Sequence, residues 1–147
     1  MRYLLCIFVV GLFFSCAKED ELPLLKSSED LLIGHWSKQE FRDTVEVYTR
    51  VASLPENEYG FSLYPDGKLV EHKNSGWCGT PPVSYADFDG TWKYENDTVI
   101  AIVAGYWGGT MRCRMQVLKK ESNKLELRRF DFEFPENPLG YILLPIN

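Results

Sequence analysis

Histidine is scarce in this chain, two residues among 147, and neither stands in a zinc-binding His-Glu-x-x-His pair. A Gly-x-Ser-x-Gly elbow and a phosphate-cradling glycine loop are also missing, which removes the common signatures of esterases and nucleotide-binding enzymes. Basic runs are short: 16 Lys and Arg stand against 21 Asp and Glu, a formal charge of −5, and an acidic chain of this kind is a poor nucleic-acid binder. The densest basic grouping, Arg112, Arg114, Lys119, Lys120, Arg128 and Arg129, reads as a solvated sheet face. Asp87-Phe88-Asp89-Gly90 opens like a calcium loop, but Thr98 stands where the closing Glu belongs, so a turn is expected there. Glu56 with Glu58, and Glu133 with Glu136, lie in polar surroundings that offer nothing to raise a pKa for general-acid work. These absences argue against an enzyme, and no catalytic residue, metal site or cofactor is expected.

Long apolar runs are missing too. The longest covers residues 4–14, about 16 Å of helix, where a hydrocarbon core asks for about 20 residues. With Arg2 before it, the run reads as a removable export signal. It ends in Leu12-Phe13-Phe14-Ser15-Cys16, followed by Ala17-Lys18-Glu19-Asp20-Glu21. This arrangement resembles a bacterial lipoprotein signal, in a relaxed form similar to that of Bacteroidota lipoproteins, and the acidic run resembles that group's surface-export signal. The resemblance implies cleavage before Cys16, lipidation of Cys16, and anchoring in the outer membrane. Residues 1–15 are then the signal peptide, 16–28 a wet tether broken by Pro23, and 29–147 one domain. The rival reading is an ordinary secretory signal that leaves a free Cys16.

Cysteine is sparse, four residues in all. Cys6 leaves with the leader and Cys16 is taken by lipid, so Cys78 and Cys113 remain as a pair in an exported protein. A disulfide is the simple expectation, and it would contribute about 3–4 kcal/mol in the chain-entropy picture. Two buried free thiols are the alternative.

Apolar residues recur with a period of two, which predicts strands. Val45, Val47 and Val51 alternate with Glu46, Tyr48 and Arg50, giving one apolar and one wet face. Met111, Cys113, Met115 and Val117 alternate with Arg112, Arg114 and Gln116, which points Cys113 at the core. Residues 98–104 suit a strand buried on both faces. Pro65-Asp66-Gly67 and Asn96-Asp97 read as hairpin turns, and the change of parity between Leu125, Leu127 and Phe130, Phe132, Phe134 suggests a bulge at Arg128-Arg129. Residues 140–144 look like a closing strand, and residues 28–32 like one helical turn capped by Ser27 or Ser28. About eight strands at hairpin spacing predict an all-β, antiparallel barrel running as a linear meander.

Gly34-His35-Trp36 on the first strand, Phe61 to Gly67, and Gly90-Thr91-Trp92 resemble the lipocalin-like barrels of small Bacteroidota lipoproteins. The resemblance implies a Trp36 lying across the barrel floor. Residues 75–85 combine Gly, Pro, Trp77 and Tyr85 around Cys78 and cannot form a central strand. They sit at the barrel mouth or plug its end. Gly105-Tyr106-Trp107-Gly108-Gly109 is expected at the same end. Trp77, Tyr85, Tyr106 and Trp107 would then line an aromatic rim that takes a small apolar ligand or a glycan. A second function class is a protein-binding module, such as an inhibitor of a secreted hydrolase using the Trp77-Cys78-Gly79 loop as a wedge. The expected partners are the membrane, through the lipid, and one such ligand or secreted protein; nucleic acid is not expected, and the protein is read as a monomer.

Overall fold

The computed structural model describes residues 30–76 and 82–135. Eight antiparallel strands close into a barrel: β1 (Gly34–Arg42), β2 (Val45–Val51), β3 (Gly60–Leu63), β4 (Lys68–Asn74), β5 (Tyr85–Asn96), β6 (Val99–Tyr106), β7 (Gly109–Lys120) and β8 (Lys124–Glu133). Among the described residues there is no helix. The fold is therefore the all-β, eight-stranded antiparallel barrel that the strand spacing predicts. The signal peptide, Cys16, the tether and the strand expected at 140–144 lie outside the described residues, and the sheet closes through β2 and β8.

Strand order departs from a linear meander. β3 to β8 follow one another, but β1 pairs with both β2 and β3 while β2 pairs with β8. The chain leaving β2 at Val51, opposite His35, must therefore return along the outside of β1 before entering β3 opposite Ser37. Residues 52–59 form this strap. Ser37 Oγ donates to Glu58 Oε2 (2.7 Å), Lys38 N donates to the Tyr59 carbonyl (2.8 Å), and His72 Nε2 lies 2.9 Å from the Glu56 carbonyl. Beneath it Ser37 and Ser62 are buried although they face away from the core. Gly60 is required here, since a Cβ would sit 2.6 Å from the Trp36 carbonyl oxygen and 2.9 Å from Leu54 Cδ2.

One end of the barrel is sealed. Trp36 is fully buried, its Nε1 donates to the Leu32 carbonyl (2.8 Å), and the Arg50 guanidinium stacks 4.2 Å from its ring. Arg50 also donates to the carbonyls of Ile33, Leu31 and Ser122, drawing the N-terminal segment and the β7–β8 turn across the floor. Residues 30–33 form a turn, not helix, and Asp30 supplies the cap: its Oδ1 accepts from Leu32 N and its carbonyl from Ile33 N, both at 3.0 Å. Above the floor Tyr48, Phe61, Leu69, Ile102, Met115 and Leu127 are buried to within about 1%, each contributing roughly 1.5–3 kcal/mol by leaving water.

Several faces differ from the patterning. On β2 the supposedly wet residues point inward, with Tyr48 fully buried and Glu46 at 8% exposure, while Val47 is buried on the outer side away from the main core. β6 alternates instead of being buried on both faces: Ile100, Ile102 and Ala104 are buried and their neighbours half-exposed. Asp87-Phe88-Asp89-Gly90 is the middle of β5, not a turn. Gly90 allows β6 to approach, because a Cβ there would lie 2.2 Å from the Val103 carbonyl oxygen. On β8 the inward parity of Leu125 and Leu127 continues through Arg129, which pairs with Met115. Irregularities in the pairing fall on either side of it: one opposite Glu126 and Leu127, between Val117 and Lys119 on the partner strand, and one beyond Arg129, between Arg112 and Arg114, with Asp131 at φ 55°. Two buried carboxylates, Glu46 and Glu71, hold Arg129 inside, so the expected change of parity does not fall at Arg128-Arg129 itself.

Candidate functional site: an aromatic mouth above a buried ionic cluster

The end opposite the floor carries the β1–β2 turn, the adjoining ends of β4 and β5, the β6–β7 turn and the far end of β8. Tyr106 continues the inward parity of Ile100, Ile102 and Ala104 and packs against the core. Its ring meets Trp107 edge-on at 5.6 Å and Phe134 edge-on at 5.4 Å, and Trp107 is 47% exposed. The turn that presents them needs its glycines: Gly109 has φ 139°, and a Cβ on Gly108 would fall 2.7 Å from Tyr106 Cε2. Tyr106 and Trp107 are thus brought together at the mouth, and Phe134, for which the sequence predicts only a place in a strand, is a third member.

Tyr85 is placed elsewhere. It pairs with Asn74 and shares the outward parity of Asp87 and Asp89, and its ring stacks on His72 at 5.5 Å and 10°. Alternation along β5 turns it to the outer wall, so it does not join the rim. Trp77 and Cys78 lie outside the described residues. Cys113 faces the core as the alternation requires and is a free, buried thiol; Cys78, its expected disulfide partner, lies outside the described residues. Burial, with Arg129 opposing and Glu71 and Glu46 reinforcing it, pushes this thiol up to about 11, so it stays protonated at neutral pH.

Below the mouth the interior is ionic. Arg129 Nε donates to Glu46 Oε2 (2.9 Å) and its Nη1 to Glu71 Oε1 (2.7 Å). Lys73 donates to Glu71 Oε2 (2.5 Å), Lys38 to Glu46 Oε1 (3.0 Å), Tyr48 to Glu46 Oε2 (2.7 Å) and Tyr59 to Glu71 Oε1 (3.1 Å). Glu71 is fully buried. Burial alone would raise its pKa, but the charges of Arg129 and then Lys73 outweigh it and hold the carboxyl at about 2. Glu46 is lowered against the same desolvation by Arg129 and Lys38. Burial drives the Tyr48 and Tyr59 hydroxyls well above their ordinary range, so both remain donors.

Patterning could have signalled this cluster. Glu71 and Lys73 share the parity of Leu69 on β4, and Arg129 shares that of Leu125 and Leu127 on β8. Charged residues in phase with core residues are the signature of an interior charge network, and opposite signs on different strands are its means of neutralisation.

The remaining basic residues do not gather. Arg114 pairs with Glu95 and Asp131 on the outer wall, beside a shallow groove of about 150 Å³, while Lys120 pairs with Asp30 at the floor and Lys119 with Glu121. Arg128 donates to Thr44 Oγ1. Among the described residues no three His, Cys, Asp or Glu side chains converge as a metal site would require. Comparison with family models, curated proteins and solved structures finds no match to this chain.

Proposed function

We propose that this protein is a lipid-anchored binding protein that takes a small apolar molecule or a glycan at the aromatic mouth of its barrel. The observation that carries the reading is the Tyr106, Trp107 and Phe134 group at the end opposite the floor, with Trp107 47% exposed. Flat apolar rings bordered by polar groups suit ligands with both an apolar body and hydrogen-bonding edges. The sealed floor and filled lower interior leave recognition to the upper end. The Cys16 lipid would hold that mouth at a membrane surface, since two or more acyl chains anchor stably.

The test is a fluorescence titration of the full chain with candidate glycans and apolar molecules, followed by Trp107→Phe. A ligand that binds should change the tryptophan emission, and the substitution should remove most of that change and weaken binding several-fold. Binding that leaves Trp107 emission untouched would overturn the assignment. Packing of the lower interior by Trp36, Tyr48 and Phe61 also favours a second reading, in which the mouth engages another protein. A pull-down that recovers one secreted enzyme, lost on Trp107→Ala, would favour it.

A further inference from the structure

The interior cluster is unbalanced in two independent ways. Among the described residues three cations, Lys38, Lys73 and Arg129, face two carboxylates, Glu46 and Glu71. Both carboxyls are ionised, so one positive charge is left over inside a low-dielectric wall. In addition, Arg129 Nη2 is buried without a hydrogen-bond partner among the described residues, while Nε and Nη1 of the same guanidinium are both used. A buried charged donor left without an acceptor costs more than a neutral one. A cluster with surplus charge and an unused guanidinium edge is complementary to one anion.

Position narrows the chemistry. The side chain of Arg129 is 9% exposed, and Lys38, at 26%, is the cation most open to solvent. The Tyr59 ring lies between these two, 5.6 Å from Arg129 Cζ and 5.2 Å from Lys38 Nζ. Its hydroxyl donates to Glu71 Oε1 at 3.1 Å, and because the phenol is neutral its displacement would leave every ion pair of the cluster in place. Strand direction places Glu46 and Arg129 in the halves of β2 and β8 nearer the end of the barrel where β6 delivers Tyr106, and Glu71 midway along β4. We infer that the cluster receives the carboxylate of an amphipathic monoanion, whose head displaces Tyr59 and accepts from Arg129 Nη2 while its apolar body lies against Tyr106 and Phe134. Surplus charge of one selects a monoanion over a phosphate dianion, and guanidinium geometry suits a carboxylate. This rests on the mouth being a binding site and adds the charge class of its ligand.

The experiment compares 4-phenylbutyrate with its neutral counterpart 4-phenyl-1-butanol, by calorimetry and tryptophan emission on the full chain. The acid should bind at least about tenfold more tightly, the scale of one charge-assisted bond. Lys38→Met, which removes the surplus charge at the most exposed member, should abolish most of that preference, read as the ratio of the two affinities. Arg129→Lys, which keeps the charge but loses the free Nη2, should also lower it. Equal affinity for acid and alcohol, both weakened by Trp107→Phe, would overturn the carboxylate site and leave the mouth standing. Failure of both probes to bind at their solubility limits would overturn the two together.

Discussion

Glu71 and Arg129 each make the burial of the other tolerable. Either charge alone inside the barrel would meet a desolvation cost of several kcal/mol, and paired hydrogen bonds in a low dielectric return most of it. Removing one partner is therefore worse than removing both. Glu71→Leu should destabilise the barrel by about 3–5 kcal/mol, and adding Arg129→Leu should cost less than that single change, because Glu46 keeps Lys38 and Tyr48 as partners. Urea unfolding midpoints of the three proteins check this, and additive losses would contradict the coupling. At this scale the sequence shows parity but not sign. Leu69 and Glu71 share a face on paper, and only the arrival of Arg129 from a strand 58 positions away makes the second one acceptable inside.

The strap between β2 and β3 depends on one histidine. His72 Nδ1 lies 2.7 Å from Asp87 Oδ1 and Nε2 2.9 Å from the Glu56 carbonyl. Both neighbours only accept, so the ring donates from both nitrogens and is protonated. Burial opposes this, but the Asp87 bond first and then Glu56 raise its pKa above the ordinary value. A raised folded pKa means the contribution is fully present below about pH 6.5 and is lost as pH rises through the higher folded value. Hydrogen exchange of residues 52–59, corrected for intrinsic base catalysis, should therefore lose protection as pH rises through that range. His72→Gln should remove the pH dependence and leave the strap less protected throughout; an unchanged profile would detach the strap from His72. Hairpin turns were legible because Pro65-Asp66-Gly67 and Asn96-Asp97 carry their own conformational preferences. The strap was not, since its partners Ser37 and His72 come from other strands.

For the whole molecule, acid is the informative perturbation. Glu71, Glu46 and Asp30 all have lowered values, so their stabilisation is present above the ordinary carboxyl range and is lost as pH falls through the folded values. Glu71 alone, moved from 4.5 to about 2, corresponds to about 3 kcal/mol at ~1.4 kcal/mol per unit. Stability should decline steadily from about pH 4.5 toward pH 2. Glu71→Gln, less stable at neutral pH, should show a shallower decline, measured as the urea midpoint against pH; parallel curves would show that Glu71 does not carry the effect.

Period-two alternation and turn chemistry, both local properties, were enough to specify an all-β chain of eight antiparallel strands, an inward Cys113, and an aromatic turn at Tyr106 and Trp107. Tertiary structure alone decided the strand order, the outward rotation of Tyr85, and the inward rotation of Glu46 and Tyr48. Alternation defines two faces of a strand without saying which is the inside. That choice belongs to long-range pairing, where a carboxylate and a guanidinium from distant strands make a polar face cheaper to bury than the pattern suggests.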